Sequence, residues 1–324
     1  MTRPSRAPVP FSFFGIAVGL LAMANAWRVA ARLWHLPLVV ADAVSGAGLA
    51  VWGGLLAFVA WRLLRDRAAV AAELAHPVQS SYAALVAVAS LLAALVLLPF
   101  SRPVAEVVLF GALALHGVTA VWLHGRFWQG GRPEAAVPAM YLPATGQNFV
   151  AAAALAAFGW PGAGMLFFGA GLLSWLAIES VLLQRASAGD PMAPALRPSL
   201  GIQLAPPVVG GVSYLALTSG APDLFAHALL GYGLFQALQL ARLLPWIRAQ
   251  AFTPGYWGFS FGVAALPTLA MRMVERGATD VVAQVALPSF VLANVIVAVL
   301  AWKTVALWLG GRLLPVAPAP VSAR

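Results

Sequence analysis

The 324-residue chain reads as an all-α integral membrane protein, with ten transmembrane helices paired as five helical hairpins. Three observations predict this. The chain is 62% hydrophobic and only 9% charged, whereas soluble domains carry about 25% charged residues. Too few charges remain to cover a water-facing surface. Ten apolar runs are each long enough to cross roughly 30 Å of hydrocarbon as a helix. The breaks between them are short, so consecutive helices pair as antiparallel neighbours. No loop is long enough to fold separately, and residues 1–324 form a single transmembrane domain with short tails at 1–10 and 311–324.

The runs lie near 11–34, 43–64, 80–99, 103–124, 140–159, 162–184, 199–219, 223–244, 254–274 and 280–309. The first follows "MTRPSRAP" and contains "AMANA", a pattern shared with cleavable leaders. Its apolar character continues to Leu36 and it carries Gly15 and Gly19, so it reads as a retained span. The second and third are separated by the charged "RLLRDR", the third and fourth by "LLPFSRP". "WQGGRPE", "GWPG", "SAGDP", "SGAPD" and "ERGATD" mark the later breaks with turn residues and charge.

Helix breakers concentrate in the odd-numbered runs. The fifth holds Pro143 and Gly146, the seventh Pro206–Pro207 and Gly210–Gly211, and the ninth Gly258, Gly262 and Pro267. The third has only Pro99 at its end, and among even runs the tenth has Pro288. Freed backbone groups are tolerated at membrane depth only inside protein or beside a watery cavity. Odd spans therefore belong around a central pathway and even spans against lipid. Individual glycines here are also consistent with simple packing notches.

The net charge is +9, with 19 basic residues and no cysteine. In a soluble chain such a balance would suggest nucleic acid. Here the arginines sit between apolar runs and orient helices in a lipid bilayer; no nucleic-acid role is implied. Fourteen basic residues fall on the side of the N-terminus and five, Arg28, Arg32, Arg102, Arg272 and Arg276, on the other. The positive-inside rule places both termini in the cytoplasm, in a bacterial inner membrane. Without cysteine there is no disulfide, thiolate nucleophile or cysteine-ligated metal. His116 and His124 lie eight residues apart without a third ligand, and no nucleotide-binding or hydrolase motif occurs. The chain reads as neither an enzyme nor a cofactor protein.

The odd interiors contain no carboxylate. Their polar residues are neutral, among them Asn148, Gln203 and Ser260, and Arg28 and Arg272 lie toward the outer mouth. A cation or proton path needs intramembrane acids, so this lining favours an anion. Gly15, Gly19, Gly146, Asn148, Gln203, Pro206 and Ser260 are the pore-lining candidates. Glu179, on the sixth run, is the clear intramembrane acid. It reads either as a proton-coupling group or as a structural carboxyl, paired with an arginine such as Arg197 or protonated.

Several motifs then add a resemblance. "FFGIAVGLLAMANAW", "YLPATGQNFVAAA", "LFFGAGLLSWLAIESVLLQ", "GIQLAPP", "GYGLFQ", "RLLPW" and "WGFSFG" occur in order along the chain. Together they resemble the TehA branch of the tellurite-resistance/dicarboxylate transporter family, which includes plant slow anion channels. The resemblance implies a quasi-fivefold arrangement of the hairpins, odd helices lining a central pore, and assembly as homotrimers. It also implies a phenylalanine on the ninth helix that occludes the pore. Phe261 is the matching residue, with Phe259 second. Gly262 lacks a Cβ beside that ring, and Pro267 frees a carbonyl near Val263, so both read as hinge residues of the gate. The expected function is a gated channel passing small inorganic or organic anions. The alternative is a proton-coupled carrier for C4-dicarboxylates or oxyanions such as tellurite.

Overall fold

A computed structural model describes residues 9–314. The tails assigned to 1–10 and 311–324 therefore lie largely outside the described residues, as do Arg3, Arg6 and Arg324. Twelve α-helices are present among the described residues: α1 (Phe14–Trp34), α2 (Leu38–Arg65), α3 (Arg67–Ala75), α4 (Gln79–Tyr82), α5 (Ala84–Leu97), α6 (Arg102–Thr119), α7 (Gln147–Ala157), α8 (Pro161–Ala188), α9 (Ala205–Leu217), α10 (Leu224–Ile247), α11 (Ser260–Glu275) and α12 (Val281–Leu309). There is no strand among them.

Eight of the described helical stretches are long and apolar enough to cross a membrane. The fifth and ninth apolar runs are not among them, and their regular α-helices, α7 and α11, are short, 11 and 16 residues. The cause is visible in the sequence. Pro143 lies in a π-helical turn, Leu142–Gly146, ahead of α7. "PGYWGF" forms a 3-10 turn, Pro254–Phe259, ahead of α11. Proline lacks the amide that regular α-helical bonding needs, and glycine adds backbone entropy against it. A similar lead-in, Pro194–Leu204, precedes α9. α3 was not anticipated; it is a short helix in the charged "RLLRDR" link, begun by the Asp66 side chain accepting from the Ala69 amide.

Burial sorts the helices into two layers. Of the most apolar window in each stretch, 72% is buried in Phe11–Trp34, 83% in Gln79–Leu97 and 72% in Pro194–Leu217. The corresponding share is 11% in Leu38–Arg65 and no more than 33% in the other four. Apolar side chains on the outer layer face outward, which suits lipid and not water. Within the inner layer α1 packs on α5, α5 on α7, α7 on α9, α9 on α11 and α11 on α1. Each also packs on the helix that follows it: α2, α6, α8, α10 and α12 respectively.

The inner helices approach closely because small residues face one another. A Cβ on Gly19 of α1 would run into the Ser260 side chain of α11, and one on Gly262 would lie 2.7 Å from Leu204 Cβ. Sharp reversals join the hairpins. Gly159 (φ 94°) turns α7 into α8, and Gly277 (φ 98°) ends α11; both use a backbone region that glycine enters without strain.

Candidate functional site

Two cavities lie end to end inside the inner layer. The one nearer the arginine-rich ends is small, about 50 Å³. Its wall includes Gly15, Tyr82, Gly146, Pro206 and Phe261, one from each odd apolar run, and no residue from an even run. The second is larger, about 340 Å³, and is walled by the odd runs, including Asn25, Leu92, Val150, Ser213 and Arg272, with Arg276 just past the ninth run. Phe261 and Val209 belong to both walls. Phe261 is the second residue of α11 and is partly exposed, with cavity on either side of it.

The sequence candidates divide accordingly. Gly15, Gly146 and Pro206 line the inner cavity with Phe261, and Arg272 lines the outer one. Phe259 does not reach either cavity. It stacks on Tyr256 with ring centroids 6.4 Å apart and covers the backbone of Gly201. Gly19 and Ser260 meet each other at the α1–α11 contact, where the Ser260 hydroxyl donates to the Trp257 carbonyl. Gly262 is buried against Leu204 and Ala205, and Pro267 is buried within α11. Gln203 lines neither cavity, and its buried Oε1 has no partner among the described residues. Asn148 turns toward α6, where its Oδ1 lies 3.1 Å from His116 Nε2. Arg28 is engaged at the outer rim, 3.0 Å from Asp42 and with its guanidinium 5.1 Å from the centre of the Phe100 ring.

The cavity walls are thus more apolar than the polar inventory suggested. The reason is hydrogen bonding at low dielectric: an intramembrane amide left unpaired is costly, so it bonds to a neighbouring helix. Gln147 donates to the Ala84 carbonyl (2.9 Å) and lies 2.7 Å from His116 Nδ1. Ser213 donates to the carbonyls of Phe149 and Val209. Neither wall contains an aspartate, glutamate or histidine. The positive groups in the walls are Arg272 and Arg276, both in the outer cavity.

Glu179 sits behind the inner cavity and its carboxylate is enclosed by donors. Tyr141 and Tyr232 (2.8 Å) donate hydroxyls, Trp175 its indole N–H (3.0 Å) and Gln236 its amide (3.4 Å). The expected pairing with Arg197 is not formed. Arg197 instead donates to the Met192 and Trp246 carbonyls and stacks on the Trp246 ring, 4.1 Å from its centre. Tyr141 itself lines the inner cavity, which links the acid to the cavity through one side chain. Tyr141 and Arg276 were not among the sequence candidates. "YLPATG" was legible as a broken helix, but nothing in the pattern reveals which way a tyrosine at its start points.

Comparison with known proteins fits this architecture. Residues 8–305 match the model of the SLAC1 family, described as voltage-dependent anion channel. Over 307 residues the chain is 33% identical to the tellurite resistance protein TehA homolog of Haemophilus influenzae, covering 94% of this chain and 92% of that protein. A match of this extent, spanning all the helices that wall the two cavities, means that the chain belongs to the SLAC1 family of anion channels and transporters.

Proposed function

We propose that this chain is a gated, passive pore for small anions, built from ten membrane segments in a quasi-fivefold arrangement and closed midway by Phe261. One observation carries the reading: two cavities, each walled by all five odd segments, meet at Phe261 and Val209, and Phe261 contributes the one ring that both share. A hydrocarbon ring in a narrow passage offers an ion nothing in place of its water shell, so it blocks conduction. The larger outer cavity has room to receive the ring when it swings aside. The short α7 and α11 complete the count of ten, because their 3-10 and π lead-ins extend them across the membrane. Walls without carboxylate, and two arginines at the outer end, support anion over cation selectivity. The basic excess on one side supports an inner-membrane location with cytoplasmic termini.

Removing the ring tests the gate. Phe261→Ala should raise anion conductance at least tenfold in lipid bilayers, and reversal potentials in asymmetric chloride, nitrate and malate should rank the permeant anions. Current no larger than wild type, with protein present in the membrane, would count against Phe261 as the gate.

A second reading has one observation in its favour, the Tyr141 bridge between Glu179 and the inner cavity. On it, the chain is a proton-coupled carrier for C4-dicarboxylates or for oxyanions such as tellurite. A carrier requires saturable, pH-driven uptake that Glu179→Gln abolishes, whereas a pore keeps its unitary current through that change.

A further inference from the structure

The outer cavity holds a charge without a partner. Arg272 projects from α11 into its wall, and among the described residues it makes no ion pair. Its Nε is shut off from water with no acceptor in reach. The cations around it are already engaged. Arg28 pairs with Asp42 at 3.0 Å and Arg32 with Glu275 at 3.0 Å. Arg276 donates to the Leu215 and Thr218 carbonyls and to the Thr218 hydroxyl. The acid closest in sequence, Glu275, is thus committed to Arg32, and no carboxylate lines the cavity.

The terminal nitrogens of Arg272 make no hydrogen bond or ion pair among the described residues and face the cavity, and a largely desolvated cation without a counter-ion is unfavourable. A partner has to come from the cavity, and an anion there supplies the opposite charge as well as the hydrogen-bond acceptors, where water supplies only the acceptors. We propose that Arg272 is the centre of a binding site in the outer cavity for a small planar oxyanion, nitrate or a carboxylate. The planar guanidinium offers parallel N–H donors that match two oxygens of such a group, whereas a spherical halide meets them at one point. Arg276, which caps the C-terminal end of α11, stands one helical turn beyond Arg272 and lines the same cavity. Both its terminal nitrogens are held by the Leu215 and Thr218 acceptors, so it raises the local potential while Arg272 ligates. A cavity of about 340 Å³ accommodates either ligand. The role of this site in transport rests on the pore reading; the binding itself does not.

The test is equilibrium binding to the purified full-length protein in detergent, by calorimetry with sodium nitrate, acetate and chloride at constant ionic strength. Saturable binding is expected, at least tenfold tighter for nitrate and acetate than for chloride. Arg272→Gln should weaken nitrate at least tenfold. Arg272→Lys, which keeps the charge and loses the fork, should reduce the preference for nitrate over chloride. Arg185→Gln, at a partly exposed residue in neither cavity wall, should leave binding unchanged. Equal nitrate affinity in wild type and Arg272→Gln would overturn the site, and chloride binding as tightly as nitrate would overturn its planar selectivity. Thermal melts of each variant establish that it is folded. Because no flux is measured, the site can stand if Phe261→Ala carries no current, and fail if it does.

Discussion

Phe261 and Glu179 illustrate how differently two intramembrane side chains can be used. Phe261 leaves part of its ring facing empty space, which a purely structural phenylalanine in a close-packed interior would not. Its removal should cost little stability, since the ring is not enclosed, while conductance rises. Glu179 is the opposite case, because four donors converge on one carboxylate. Glu179→Ala strands the Tyr141, Tyr232 and Trp175 donors, each worth about 1–3 kcal/mol when left unpaired in a folded protein and about 0.6 kcal/mol on average within membranes. The melting temperature in detergent should fall by several degrees, and Glu179→Gln, which retains an acceptor, should fall less. Equal melting of wild type and Glu179→Ala would show that the network does not hold Tyr141 in place.

At the scale of the helix, contact between inner segments depends on glycine. Gly262→Leu places a side chain where Leu204 Cβ already lies within 2.7 Å of the first added atom. Overpacking of this kind costs about 1–3 kcal/mol, and here it would also part α11 from the lead-in to α9. Reduced yield of folded protein and a lower melting temperature are expected, whereas Gly231→Leu on the open side of α10, where nothing lies within 4 Å, should be tolerated. A helix end gives a pH-dependent case. Asp223 caps α10 by accepting from the Ala226 amide. The Tyr214 hydroxyl, and then that amide, hold its carboxyl below the ordinary aspartate range. A depressed carboxylate contributes stability above its unfolded-state value and loses it as pH falls through the folded one. Asp223→Ala should therefore lower the melting temperature at neutral pH, and the difference from wild type should shrink toward pH 3.

Across the whole molecule, the outer layer is the surface that must meet lipid or another copy. Leu166, Leu173 and Leu176 of α8 and Val291, Leu292 and Val295 of α12 are all exposed. Such a continuous apolar exterior is stable only in a bilayer or under another apolar surface. Mass measurement of the detergent-solubilised protein by light scattering should return a homotrimer, as the family resemblance implies. A monomer at all protein concentrations would remove that expectation without touching the proposed pore, since both cavities lie within a single chain. Tags at either terminus should be reachable only from the cytoplasmic side of intact spheroplasts.

Composition and spacing were sufficient for the class of fold, because apolar runs of membrane-crossing length leave the backbone no alternative to helix in lipid. The breaks, the concentration of proline and glycine in odd runs and the absence of odd-run carboxylates were all legible in the same way. The inner layer follows from them, since a bent helix must satisfy its freed groups inside protein. What a linear pattern cannot encode is azimuth. Gly15 and Gly19 sit one turn apart, yet one lines a cavity and the other locks against Ser260. Phe259 and Phe261 are two residues apart, and only the second lines a cavity. Asn148 and Gln203 were polar enough to line a pore but belong to neither cavity wall. Rotation about each helix axis is settled by close packing against four or five neighbours at once, and that arrangement exists only in the folded chain.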